Sequence, residues 1–275
     1  MRLLQRLVTG LALTLMLGLL GCSSLTLAYN QLPLLAGLWA DRYFDLDSHQ
    51  RSQLKVQLQA WQAWHRREEL PQWAALVRQA QRALDDGVTA DELLALERGA
   101  RASAERCLQH AAPLAAPLLA GLEPAQWQHL RRHMDEKTAD WREAQSGRGG
   151  PDERAKRYVT NLERWLGDLE RPTRRQAHAD GHAWQVDVPA LAQARAARQA
   201  RTVEALRAWS QQDLAGGTAL FMRNLQPLPA EQPYREQVMA SLLKLLNGLD
   251  AQERERVHRH WRGWEADLRT LQQAR

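Results

Sequence analysis

The chain has 275 residues, a formal net charge of +5 at pH 7 and a charged fraction of 25%, long enough to bury a substantial core as one large domain or two smaller ones. Its basic residues are mostly Arg and form no single block, which argues against nucleic acid as a partner. Two cysteines exclude a disulfide scaffold, while the lack of any Ile, only two Phe, and abundant Leu, Ala, Arg, Gln and Glu exclude a β-rich fold and make the chain all-α.

Arg2 and Arg6 precede an apolar run, Leu7 to Leu20, broken only by Thr9, Gly10, Thr14 and Gly18. That run has the length of a secretory core and falls short of the roughly 20 residues a membrane span needs. It ends Leu19-Leu20-Gly21-Cys22, which resembles the bacterial lipobox. The resemblance implies a signal peptide over 1–21, cleaved before Cys22, with lipid on the Cys22 thiol and on the new amine. The mature domain is then 22–275, with 35 basic and 32 acidic residues and a charge of 35 − 32 = +3. Ser23 in place of Asp, by resemblance to enterobacterial lipoproteins, implies the periplasmic face of the outer membrane, with the inner membrane as the alternative. Three acyl chains exceed what stable anchoring requires, since each buried CH₂ contributes about 0.8 kcal/mol. The membrane is therefore one expected partner.

Helices are expected over 32–44, 48–84, 90–119, 124–145, 152–169, 189–214, 233–247 and 251–273. Pro71, Pro113 and Pro117 should kink or break the spans that contain them, and 171–188 has no clear preference. Four starts share an apolar residue, a cap, two free positions and then Gln or Glu: Leu46 to Gln50, Val88 to Glu92, Leu122 to Gln126 and Leu249 to Glu253. This is the pattern of a capping box, in which the cap accepts from an orphan N–H and the Gln or Glu reaches back.

Three starts continue with stripe residues at steps of 4, 3 and 4. They read Leu54, Leu58, Trp61, His65; then Leu130, Met134, Lys137, Trp141; then Val257, Trp261, Trp264, Leu268. Such steps place each set on one helix face. The starts are irregularly spaced, so the expected architecture is an irregular bundle of helical hairpins rather than a solenoid. Gly147-Arg148-Gly149-Gly150-Pro151 marks a sub-boundary near 146–151.

His65 and Lys137 are the polar residues on these stripes. His65 belongs to the densest polar cluster, Trp64-His65-Arg66-Arg67-Glu68-Glu69-Leu70-Pro71. Trp61, Trp64, His65, Arg66, Arg67, Glu68 and Glu69 are therefore the candidate interaction site. On one reading His65 pairs with Glu68 or Glu69 in a groove that recognises an envelope protein or moves protons; on the other, a helix end emerges into solvent before Pro71. Cys107 lacks an intramolecular partner once Cys22 is acylated, and reads as a small buried side chain, with an intermolecular disulfide as the alternative. His129 with His133, and His178 with His182, lie one turn apart, near Asp135, Glu136 and Asp180. Without a His-Glu-x-x-His motif or a Cys cluster they read as solvent-facing histidines, not metal ligands. Neither a nucleophile elbow nor a phosphate loop appears, and no cofactor is implied. The preferred reading is a membrane-anchored, chaperone-like or adaptor module without catalysis. Its alternative is an envelope hydrolase using His65 with Glu68 or Glu69.

The runs Ser23 to Asn30, Trp39 to Asp47 and Trp64 to Pro71 resemble a proteobacterial lipoprotein family classed as a domain of unknown function. That resemblance implies the anchor and the helical fold and adds no activity. The starts at Leu46 and Leu122 are also similar in shape to the Leu-Thr-x-x-Gln signature of small periplasmic helical chaperones, with Asp or Glu in place of Thr.

Overall fold

A computed structural model describes residues 24–273, in which every regular element is helical. Cys22 and the leader lie outside the described residues. In chain order the helices are α1 Ser24–Asn30, α2 Leu32–Phe44, α3 Ser48–Glu68, α4 Leu70–Asp86, α5 Ala90–Ala120, α6 Pro124–Ser146 and α7 Gly150–Leu166. They continue with α8 Arg171–Ala183, α9 Val188–Ser210, α10 Leu214–Asn224, α11 Gln232–Gly248 and α12 Ala251–Gln273. The all-α bundle of hairpins is thus the observed fold.

Local chemistry sets the starts. Asp47 accepts from the Gln50 N–H at 2.8 Å while Gln50 accepts from the Asp47 N–H at 3.0 Å. Thr89 with Glu92 and Asp250 with Glu253 repeat the exchange. At Glu123 only half of it forms with side chains. Gln126 Oε1 accepts from the Glu123 N–H at 2.9 Å, but the Gln126 N–H goes to the Glu123 backbone carbonyl.

Several boundaries differ from expectation. The helix expected over 48–84 is divided at Glu69, because Pro71 has no N–H to continue the ladder. Pro113 and Pro117, by contrast, lie inside α5, which continues to Ala120. Residues 171–183 are helical, started by Pro172 in the first turn. The short α1 and α10 were not anticipated; Asp213 caps α10 by accepting from Gly216 N–H at 2.9 Å. Lys137 does not face the core but is exposed beside Asp140, and His133 is half-buried edge-on against Tyr43 instead of facing water.

The core divides into apolar clusters that draw on both halves of the chain. The largest packs Leu84 and Val88 with Leu162, Leu166, Trp184, Leu246 and Trp261, joining α4 to α7, α8, α11 and α12. Asn247 brackets this cluster across the chain, its amide donating to and accepting from the Val88 backbone at 2.8 Å each. A second cluster sets Trp209 of α9 against Leu46, Ala112, Leu119 and Leu122. There α10 lies so close to α9 that a Cβ on Gly217 would fall 2.6 Å from the Ala205 carbonyl. The joint at 147–149 separates α6 from α7, yet apolar clusters combine helices from before and after it.

Candidate functional site

The seam between α3 and α5 carries the polar cluster. The two helices run antiparallel: Gln50 near the start of α3 donates to the Gly121 carbonyl beyond α5, and Glu69 at the other end meets Ser103. Between these ends the Trp61 indole N–H donates to the Cys107 carbonyl at 3.2 Å, and Trp64 stacks on His110 with ring centroids 4.1 Å apart.

Glu69 closes the seam. Its residue is 1% exposed, yet its carboxylate is fully engaged: Arg106 Nε and Nη2 donate at 2.6 and 2.9 Å, and the Ser103 hydroxyl donates at 2.7 Å. Such a two-pronged guanidinium contact is the strong form of an ion pair. Burial alone would raise the Glu69 carboxyl, but the Arg106 and Ser103 hydrogen bonds outweigh it and hold the group below its ordinary range. Glu69 is therefore an ionised strut between α3, α4 and α5.

His65 lies one turn before it, half-buried, with its ring 4.8 Å from Trp61 and Nδ1 3.0 Å from the Tyr29 hydroxyl of α1. Burial pushes the imidazole below its usual value, and the Glu69 charge offsets only part of this. Burial likewise pushes Tyr29 up to about 12. Both groups are thus neutral near pH 7, and a Tyr29 O–H donating to Nδ1 fits the tautomer with its proton on Nε2. Gln62 ties α1 down further by donating to the Tyr29 carbonyl, and Arg66 reaches Asn30 while its guanidinium lies over the Tyr29 ring.

The site residues therefore divide by direction. Trp61, Trp64 and Glu69 share the α3–α5 seam, His65 and Arg66 turn to α1, and Arg67 and Glu68 project outward, 3.9 Å apart. Arg67 lies near enough that its charge, after burial, lowers the His110 imidazole. Tyr29, Ser103, Arg106 and His110 were missed by sequence reasoning. The Arg106–Ser103 spacing of one turn on a helix of small residues was the one available signal. Cys107 has a free, half-buried thiol pushed up to about 11 by burial and by Glu69. Among the described residues no group of three or more His, Cys, Asp and Glu is arranged to hold a metal. His129 instead meets the Arg42 carbonyl, and His178 meets Asp152.

Fold and site define a helical bundle protein whose polar residues zip two long helices together around a buried Glu69 held by Arg106. Residues 42–235 match DUF6279, a family of unknown function, and the chain belongs to that family. The match includes the whole α3–α5 seam and leaves α1 and α12 outside it. No curated protein and no solved structure is similar enough to the chain to count as a match.

Proposed function

We propose that the chain is a non-catalytic interaction module of the bacterial envelope, tethered through lipid on Cys22, that binds a protein segment along the outer edge of the α3–α5 seam. The observation that carries this reading is the Trp64–His110 stack. It is half-buried, held in place by the zipped helices beneath it, and flanked by exposed Arg67. A rigid Trp beside an Arg is the composition that dominates binding energy at protein interfaces. Of the residues the alternative hydrolase would use, Glu69 has both oxygens bonded and His65 has Nδ1 at the Tyr29 hydroxyl, which leaves exposed Glu68 as the carboxylate that alternative would need.

The test is crosslinking in intact cells producing a tagged full chain, with Trp64→Ala and Arg67→Glu beside it. Loss of one specific envelope adduct in both variants is the expected result; a broad set of unfolded clients lost together would make the mode chaperone-like. An unchanged adduct pattern in both variants would remove this surface from consideration. The tether is tested separately by Cys22→Ala, which should abolish acyl labelling of the chain.

A further inference from the structure

The α1–α2 segment shows a second face with no partner in the fold. Eight large apolar side chains are exposed among the described residues, and five of them, Leu27, Leu34, Leu35, Leu38 and Trp39, fall between positions 27 and 39. Each is between 54% and 60% exposed. Leu34, Leu35, Leu38 and Trp39 make one stripe along α2. The opposite side of that helix is occupied: Gly37 faces Leu58 of α3, Ala40 and Phe44 join the Leu46–Trp209 cluster, and Tyr43 meets His133 of α6. Below the stripe α1 is pinned by buried Tyr29, which packs on Leu70, Leu268 and Leu271. The outward leucines are therefore held in place rather than left over from a frayed end.

We infer that this stripe is a bilayer-docking face, on which α2 lies in the headgroup–acyl boundary of a phospholipid membrane. Three observations favour lipid over another occupant. From Ser23 to Ala40 the chain contains no Asp, Glu, Lys or Arg, although a quarter of all residues are charged. A water-facing or protein-facing surface helix normally carries charge on its rim; here charge begins only at Asp41 and Arg42. Next, exposed Leu27 and the stripe at Leu34 to Trp39 follow Cys22, the expected lipid site, within 17 residues of sequence. Lastly, the far end of the stripe has the make-up of a membrane interface: Trp39 leans on Tyr43 at 4.3 Å, with exposed Arg42 between them in sequence.

The helix lies on the membrane and does not cross it. No described helix is long and apolar enough to span a bilayer, and α2, with 13 residues, extends only about 20 Å at 1.5 Å per residue against a hydrocarbon core of roughly 30 Å. Docking would fix the bundle's orientation, since α2 packs rigidly on α3 and α6. The anchor holds the protein near the membrane; the stripe decides which side faces it. The inference rests on the tether of the proposed function but is read out independently of it.

The experiment places a photoreactive benzoylphenylalanine at Leu35 or Leu38 of the full chain, in intact cells whose phospholipids carry labelled phosphate. Trp165 and Leu225, exposed on other elements, serve as control positions, and acylation of Cys22 is scored with labelled palmitate in the same cells. Phospholipid adducts at Leu35 and Leu38, reduced to background at both controls, are expected. Adducts instead to another protein, to a second copy, or to the chain's own residues 1–23 would overturn the docking face, as would equal lipid labelling at the controls. Acylation without lipid adducts would overturn docking and leave the tether standing; adducts without acylation would do the reverse.

Discussion

The α3–α5 seam and the cluster around Leu84 both hold long helices together, with opposite chemistry. The seam uses indole and imidazole rings, a backbone carbonyl and a buried carboxylate; the cluster uses Leu, Val and Trp from α4, α7, α8, α11 and α12. Apolar packing has no required partner and tolerates exchange among shapes of equal volume. A buried ion pair has one required partner, and losing it strands a charge. The seam is thus the region where register is specified, and the cluster the region where most apolar surface is removed from water.

The comparison is broken most directly at Leu84, 1% exposed at the centre of the large cluster. Leu84→Ala should cost about 4 kcal/mol, the transfer loss plus a cavity that surrounding helices cannot collapse into. Urea unfolding monitored by helical circular dichroism checks it, and a loss below about 1 kcal/mol would mean the cluster is loosely packed. Next in size is Arg106→Met, which leaves the Glu69 carboxylate buried with Ser103 alone. A loss of about 3 kcal/mol is expected, at the low end for a broken buried pair because Arg106 itself reaches solvent. The double variant Glu69→Leu with Arg106→Met should recover most of that stability, since the apolar pair strands no charge. If the double variant is as unstable as the single one, Glu69 has a role beyond its pair.

The starts of α3, α5 and α12 were legible in the sequence because a capping box is a four-residue event, complete within one turn. The division at Glu69 was half-legible: Pro71 announced a break, but only the structure shows Glu69 at that joint turned inward. The partners of the site were not legible, because no local rule links Glu69 to Arg106 or His65 to Tyr29. Each pair is set by the packing of separate helices. Reading His65 as an anomaly on an apolar stripe was sound as geometry. The residue that makes the anomaly tolerable, Tyr29, lies in a helix too short for any periodicity to reveal. The α2 stripe failed in the opposite way. Its sequence is apolar enough to suggest a core helix, and only packing shows that the leucines point outward.

The smallest expected effect separates His65 and Glu69 by pH. His65 is held below its ordinary value of 6.5 by burial, so the unfolded chain binds a proton where the folded chain does not. Stability therefore falls as pH drops below about 6.5, until the folded imidazole itself protonates. Glu69, held below its ordinary 4.5, contributes stability that is fully present above 4.5 and is lost as pH falls through its folded value. Two acid-dependent stages follow, the upper from a half-buried ring and the lower from a paired carboxylate. Urea midpoints measured from pH 8 to pH 3 should show both. In His65→Gln the upper stage should diminish and the lower persist; in the Glu69→Leu, Arg106→Met double variant the lower should diminish and the upper persist. An upper stage of unchanged size in His65→Gln would assign it to another histidine, and His110, also lowered by burial and by Arg67, is then the group to replace.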